Sequence, residues 1–265
     1  MMKKILIYAA VCWVALACTE TEKKSSDPEK ISISVTMPAL PSGIQPLWHD
    51  GEALKVVAVA GVEDGKVGHV EYDHCRYLTE KGGVTSVFSG ESRGDADTYI
   101  AFYPFSEEKV LFKIPIPRQQ TAATASDDYF PLRAYGICNK EDLSITLKPL
   151  CSWISFKVGG KGISGIHFNA ESALSGTFGY DVTDSRVTAW NGDEEEPFYK
   201  DLDLKPAGTY FEEDVTYFAM IAPGPFILTG FTLKSDNVGH GVKIEKMAEI
   251  AQGGIYDLGT LQIMF

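Results

Sequence analysis

From Ile31 onward, short runs of apolar residues recur along the chain. ISISV at 31–35 alternates apolar and polar, the pattern of a strand with one face on a core and one in water. ALKVVAVAGV (53–62), TSVFSG, TYIAFYPF, KVLFKIPI, LSITLKPL, WISFKV, GIHFNA, SGTFGYDV, VTYFAMIA, FILTGFTLK and IYDLGTLQIMF follow in order. They are rich in Val, Ile, Thr, Tyr and Phe. Gly, Pro, Asn or Asp separate them, and Asp64-Gly65 is a hairpin-type pair. Many short strands with regular turn signals predict an all-β sandwich or barrel. The chain's 25 Gly and 13 Pro suit many turns and few helices. Helical spacing is almost absent; Ala122 to Tyr129 and Glu245 to Ala251 are the best helix candidates. KISISVTMP near residue 30 is echoed by SWISFKVGG near residue 152. The echo predicts two tandem β-sandwich domains, 31–148 and 149–265.

The start of the chain has a different character. MMKK is cationic, and ILIYAAVCWVALA carries no charge from Ile5 to Ala17. That run is shorter than the ~20 residues a membrane-spanning helix needs. It has the length of a signal-peptide core, with small residues before the cut. ALAC resembles the bacterial lipobox, although Ala15 stands where leucine is usual. Residues 1–17 are therefore expected to be a removed signal peptide that takes Cys12 and Trp13 with it. Cys18 is the expected lipidated first residue, and 18–30, polar and without periodicity, a flexible tether.

Composition narrows the function. The formal charge of the 265-residue chain is -12, and loss of the signal's lysines makes the remainder more acidic still. Such a surface argues against nucleic-acid binding, which needs a basic footprint. It also disfavours adsorption to anionic headgroups, so membrane attachment falls to the lipid on Cys18. Cys75, Cys138 and Cys151 are an odd set that cannot pair fully. They read first as small buried thiols, with one disulfide and a leftover thiol as the other reading.

The chemical motifs are weak. Gly160, Gly162 and Gly165 satisfy G-x-G-x-x-G, with Asp184 about 20 residues on, where a ribose-binding acid sits in dinucleotide folds. A helix should begin at the third glycine, but GIHFNA alternates like a strand. The motif reads as a glycine-rich turn. Arg93-Gly94-Asp95 spells a tripeptide used in integrin recognition, in a polar loop, and chance accounts for it. The histidines 49, 69, 74, 167 and 240 lack metal spacing. Asp193 to Glu196 lacks the alternating ligands of a calcium loop, and no nucleophile elbow occurs. The residues therefore indicate a non-enzymatic protein without a catalytic, cofactor or metal site. The aromatic segments YIAFYPF, DDYFPLRAY and EEPFYKD read mainly as core packing.

Several segments together carry a family resemblance. PLWHDGEALKVVAV, TYIAFYPFS, IPIPRQQTAATASDDYFPLRAYG, LKPLCSWISFKV, ALSGTFGYDV, YFAMIAPG and GGIYDLG occur in the order found in the fimbrillin-like surface lipoproteins of the Bacteroidetes, which are related to the major and minor fimbrial subunits and adhesins. The resemblance implies two tandem transthyretin-like β-sandwich domains with Greek-key-type connections. It further implies lipidation at Cys18, display on the outer membrane, and assembly with other fimbrillin-like subunits by strand addition. In fimbrial members an N-terminal strand is cut away after an arginine and replaced by a neighbour's strand. Here the first arginine after Cys18 is Arg76, Lys30 is the nearest basic residue to the expected cut, and no extra donor strand is expected before Phe265. An anchor, an accessory subunit or a solitary adhesin with a host or microbial ligand is the expectation. The alternative is a surface glycan-binding lipoprotein of a polysaccharide-uptake system, with Trp48, Trp153 and Trp190 as the rings to inspect.

Overall fold

The computed structural model describes residues 28–59, 62–63, 66–67, 74–93, 96–107, 113–181, 186–189, 198–235 and 238–262. The signal segment, Cys18 and most of the tether, His69, Gly94-Asp95, Asp184, Trp190 and the acidic run 193–196 lie outside them. Among the described residues there is no α-helix; the chain forms strands, with a single 3-10 turn at Pro41–Gly43. Both helix candidates are corrected. Ala123–Thr124 is a short strand followed by a turn, and Glu245 to Ile250 belongs to the long strand Val238–Ile250. In the second case cross-strand hydrogen bonding to Gly224–Ser235 overrides a weak helical tendency. Val62–Glu63 and Lys66–Val67 pair antiparallel on either side of Asp64-Gly65.

An eight-stranded sheet holds the first half. In hydrogen-bonded order it runs Ser144–Thr146, Pro28–Thr36, Thr85–Arg93, His74–Thr79, Ala53–Val59, Thr98–Tyr103, Ala134–Asn139 and Lys148–Pro149. Its two end strands are consecutive in the chain, with only Leu147 between them. The sheet therefore curls until its ends meet around a shared core. Ile33, Val35, Leu54, Tyr77, Phe88, Tyr99 and Leu147 are among the residues inside.

A five-stranded sheet, ordered Val238–Ile250, Gly224–Ser235, Gly165–Ala170, Asp201–Lys205 and Gln119–Thr121, faces a four-stranded sheet. The latter runs Ala123–Thr124, Tyr217–Ile221, Ser152–Gly159 and Ile255–Gln262. Ile154, Phe156, Phe168, Leu202, Phe226 and Leu233 fill the space between them. The other face of the four-stranded sheet is covered too, because Trp153, Phe218 and Met220 point into the first core. A sheet buried on both faces needs apolar residues at successive positions, which accounts for the run YFAMIA and for WISF, where only Ser155, bonded to Asp257, interrupts the apolar series. The protein is thus an all-β sandwich with two cores on opposite sides of one sheet.

Residues 113–124 cross between the halves. Lys113–Ile116 pairs with Gly176–Asp181, Gln119–Thr121 with Asp201–Lys205, and Ala123–Thr124 with Tyr217–Ile221. Gln120 fixes the crossing: its Nε2 donates to Met220 O at 2.7 Å, and its Oε1 accepts from Met220 N at 3.0 Å. Ala122, 2% exposed, lies in the second core. Any division of the chain near residue 148 has to accommodate this segment, which precedes 148 yet completes sheets of the second half.

Candidate functional site

Strand addition directs attention to the first strand and its edge. The strand begins at Pro28, three residues before the alternation does, so the end of the expected tether is already paired. Its burial alternates as ISISV requires: Ile31, Ile33 and Val35 face the core, while Ser32 stays exposed. Over its nine residues it runs antiparallel to Thr85–Arg93. Outward hydroxyls meet across the pair, Ser32 to Ser89 at 2.7 Å and Thr36 to Thr85 at 2.9 Å. The Trp48 indole N–H donates to Val35 O at 2.9 Å and pins the strand's end.

The opposite edge is less covered. Ser34, Val35 and Thr36 lie parallel to Ser144–Thr146, and Ser34 N donates to Leu143 O. Among the described residues no strand pairs with that side of 28–33; there Glu29 meets Lys140 at 3.7 Å, both exposed. Such an exposed pair contributes little. The echo strand Ser152–Gly159 holds the corresponding place in the second half, with an antiparallel neighbour on one side and a parallel one on the other. Its parallel neighbour, Ile255–Gln262, runs along it from Trp153 to Gly159. The same position in the first sheet is therefore filled only at one end.

Lys30 is exposed and opposite Glu91 within the first strand. Arg76 is inside His74–Thr79, with its guanidinium 5.1 Å from the centroid of the Phe105 ring. Neither lies in an open loop. Trp48 and Trp153 are 2% and 0% exposed. Their indole N–H groups donate to Val35 O and Pro131 O, so both are core residues rather than surface platforms. Tyr129 is the exposed ring of its segment, at 67%, and stacks on His49 at 4.1 Å. Phe130, Tyr135, Tyr99 and Phe102 are buried as core packing predicts.

The remaining motifs assemble no chemistry. Gly160 and Gly162 have φ of 130° and 74° and carry the chain from the four-stranded to the five-stranded sheet; Gly165 then opens a strand, not a helix. His167 bonds Asp203 at 3.0 Å and Asn169 at 3.1 Å, and Lys234 reaches Asp203 at 3.2 Å. Burial raises the Asp203 carboxyl, but the hydrogen bonds and charges of His167 and Lys234 outweigh it and hold the pKa below its ordinary value. Among the described residues no group of three or more His, Cys, Asp or Glu could hold a metal. No helix among them is long and apolar enough to cross a membrane. Cys75, Cys138 and Cys151 are free thiols, the last two buried. Three cations that no sequence motif marks, Lys55, Lys113 and Arg133, line one cavity. A signal existed for Lys55, since a lysine inside ALKVVAV is out of keeping with its neighbours.

No family model matches the chain, and no curated protein matches it. Solved structures do. One from Bacteroides ovatus aligns over 87% of this chain and 92% of its own with 13% identity and a TM-score of 0.54. One from Bacteroides uniformis aligns over 88% and 93% with 12% identity and a TM-score of 0.51. Each is described as a "putative cell adhesion protein". At such identity the likeness is one of fold. The chain has the fold of these Bacteroides proteins, in agreement with the fimbrillin-like resemblance of its sequence.

Proposed function

We propose that this is a non-enzymatic cell-surface protein of the fimbrillin-like kind, acting in adhesion or in fimbria assembly through β-strand complementation with other subunits. Lipid on Cys18 would hold it at the outer membrane, with 31–148 and 149–265 as two transthyretin-like sandwiches. The carrying observation is the first strand. Its Ile31, Ile33 and Val35 fill a core, while among the described residues its outer edge is paired only at Ser34–Thr36. A strand laid along 28–33 would gain ladder hydrogen bonds, and one replacing the whole strand would need apolar residues at alternate positions. Fully burying three such side chains stabilises by about 1.5–3 kcal/mol each. That is a large share of a domain's ~5–15 kcal/mol, so removal of the strand and its replacement should be tightly coupled. The burial of Trp48 and Trp153 favours this reading over glycan capture.

Mass spectrometry of protein taken from native membranes tests it. The anchored form predicts an acylated Cys18 at the N-terminus. A mature end near residue 37, past the first strand, with ladders on unboiled gels, would replace the anchor with a polymerising subunit. An unlipidated, secreted monomer with an intact first strand would remove the proposal.

A further inference from the structure

Lys55 is 4% exposed in a strand whose other core-facing members are apolar. Its cross-strand neighbours are Arg76 and Phe102, so two cations and an aromatic ring form one row on one face of the first sheet. Phe102, Tyr103, Pro104 and Phe105 continue from that row to one wall of a cavity of about 170 Å³. Lys113, Pro115 and Arg133 contribute to the rest of its lining. Pockets for drug-sized ligands measure roughly 300–1,000 Å³, so this one has room for a single ring or a short chain.

Arg133 gives the cavity its chemistry. Its Nε donates to Pro115 O at 3.1 Å and its Nη1 to Leu132 O at 3.1 Å. Both acceptors are neutral, and among the described residues no carboxylate pairs with the guanidinium. Burial pushes its pKa down, against the smaller opposing influence of Cys151 and Tyr103. Arginine keeps its charge inside proteins, and this half-buried guanidinium, bonded only to carbonyls, is a natural partner for an anion. Glu52, which reaches toward Tyr103, is already engaged: its Oε1 accepts from Tyr103 OH and its Oε2 from His49 N, both at 2.8 Å. Among the described residues Nη2 has no hydrogen-bond partner and Nη1 keeps a second N–H, so the guanidinium retains donors that a carboxylate can use. The concentration of cations runs against the chain's charge of -12.

We propose that this cavity binds a carboxylate carried on a six-membered ring, with the carboxylate on Arg133 and the ring against Phe105, Pro104 and Pro115. An aromatic acid and a hexuronic acid share this chemistry. The site is separate from the one proposed for strand complementation, because no residue of the first strand lines it.

Titration of the full chain with benzoate, glucuronate, glucose and inorganic phosphate, followed by calorimetry, tests it. One or both ring acids should bind, and which one binds identifies the source. Glucose and phosphate should bind about tenfold or more weakly than the better acid. Arg133→Gln should weaken that acid by about tenfold or more, with Arg133→Lys between the two. Phe105→Ala, at a half-buried site, should weaken ring acids while leaving the melting temperature near that of the parent. Lys243→Gln, on a different sheet, should change nothing. The assignment is overturned if neither acid binds, if phosphate binds as well as both, or if folded Arg133→Gln and Phe105→Ala bind as the parent does.

Discussion

Gly136 sits where the ends of the eight-stranded sheet meet. A Cβ there would lie 2.1 Å from Ile145 Cγ2, a buried β-branched side chain with little freedom to turn away. Gly136→Ala should therefore destabilise by about 1–3 kcal/mol through overpacking, measured as a lower urea midpoint. The buried thiols and Tyr77 set a pH limit. Burial pushes Cys138 up to about 11 from 9.0, Cys151 up to about 12 from 9.0, and Tyr77 up to about 12 from 10.0, with the Ser92 hydroxyl opposing the last shift. The unfolded chain releases these protons first and the folded chain holds them. Their contribution is thus fully present below about pH 9 and is lost as pH rises toward 12. Urea melts at rising alkalinity should show this loss, and a Cys138→Ala, Cys151→Ala double variant should show less of it. At neutral pH a maleimide should label Cys75 well before the other two, because the reactive species is the thiolate.

At the scale of the element, the first strand is held by its inward side chains more than by its outward ones. Ile33→Ala should cost about 2–5 kcal/mol, whereas Ser32→Ala on the exposed face should stay within about 0.5 kcal/mol. A chain lacking residues 1–36 should regain its melting transition when a peptide of the 28–37 sequence is added, and not with the same peptide carrying Ile33→Asp. The opposite design holds at Val238–Ile250. Among the described residues this strand pairs only with Gly224–Ser235, leaving a long edge that carries exposed Lys243, Glu245, Lys246 and Glu249. Charges on an edge discourage pairing with other chains. Replacing Lys243 and Lys246 by valine should promote self-association in sedimentation velocity.

At the scale of the whole molecule, segment 113–124 ties the halves together. It supplies an edge strand to each layer around the second core, and Gln120 satisfies both backbone groups of Met220. A fragment of residues 149–265 should lack a cooperative melt by itself. Adding a 113–124 peptide should restore one, and Gln120→Ala in that peptide should weaken the restoration. If the fragment melts cooperatively by itself, the crossing is dispensable to the second sandwich.

Local patterning by itself determined the fold class and most strands, because alternation and turn residues act over a few neighbours. Ile31, Ile33 and Val35 face inward as their spacing requires, and the glycines at 160, 162 and 165 make a turn because GIHFNA is a strand. It also raised the echo of ISISV in WISFKV. Only the tertiary structure decided what those elements meet. WISFKV and YFAMIA read as strands, but nothing local indicates that their two faces serve different cores. Trp48 and Trp153 are chemically suited to a surface platform or a core, and burial depends on strands distant in the chain. KIPIPRQQTAA gives no local sign that its partners lie from residue 176 onward, and the cavity at Arg133 exists only because Lys55, Phe105 and Lys113 are brought together there. Pairing partners and cavities are set by long-range contacts, and no short stretch of sequence encodes those by itself.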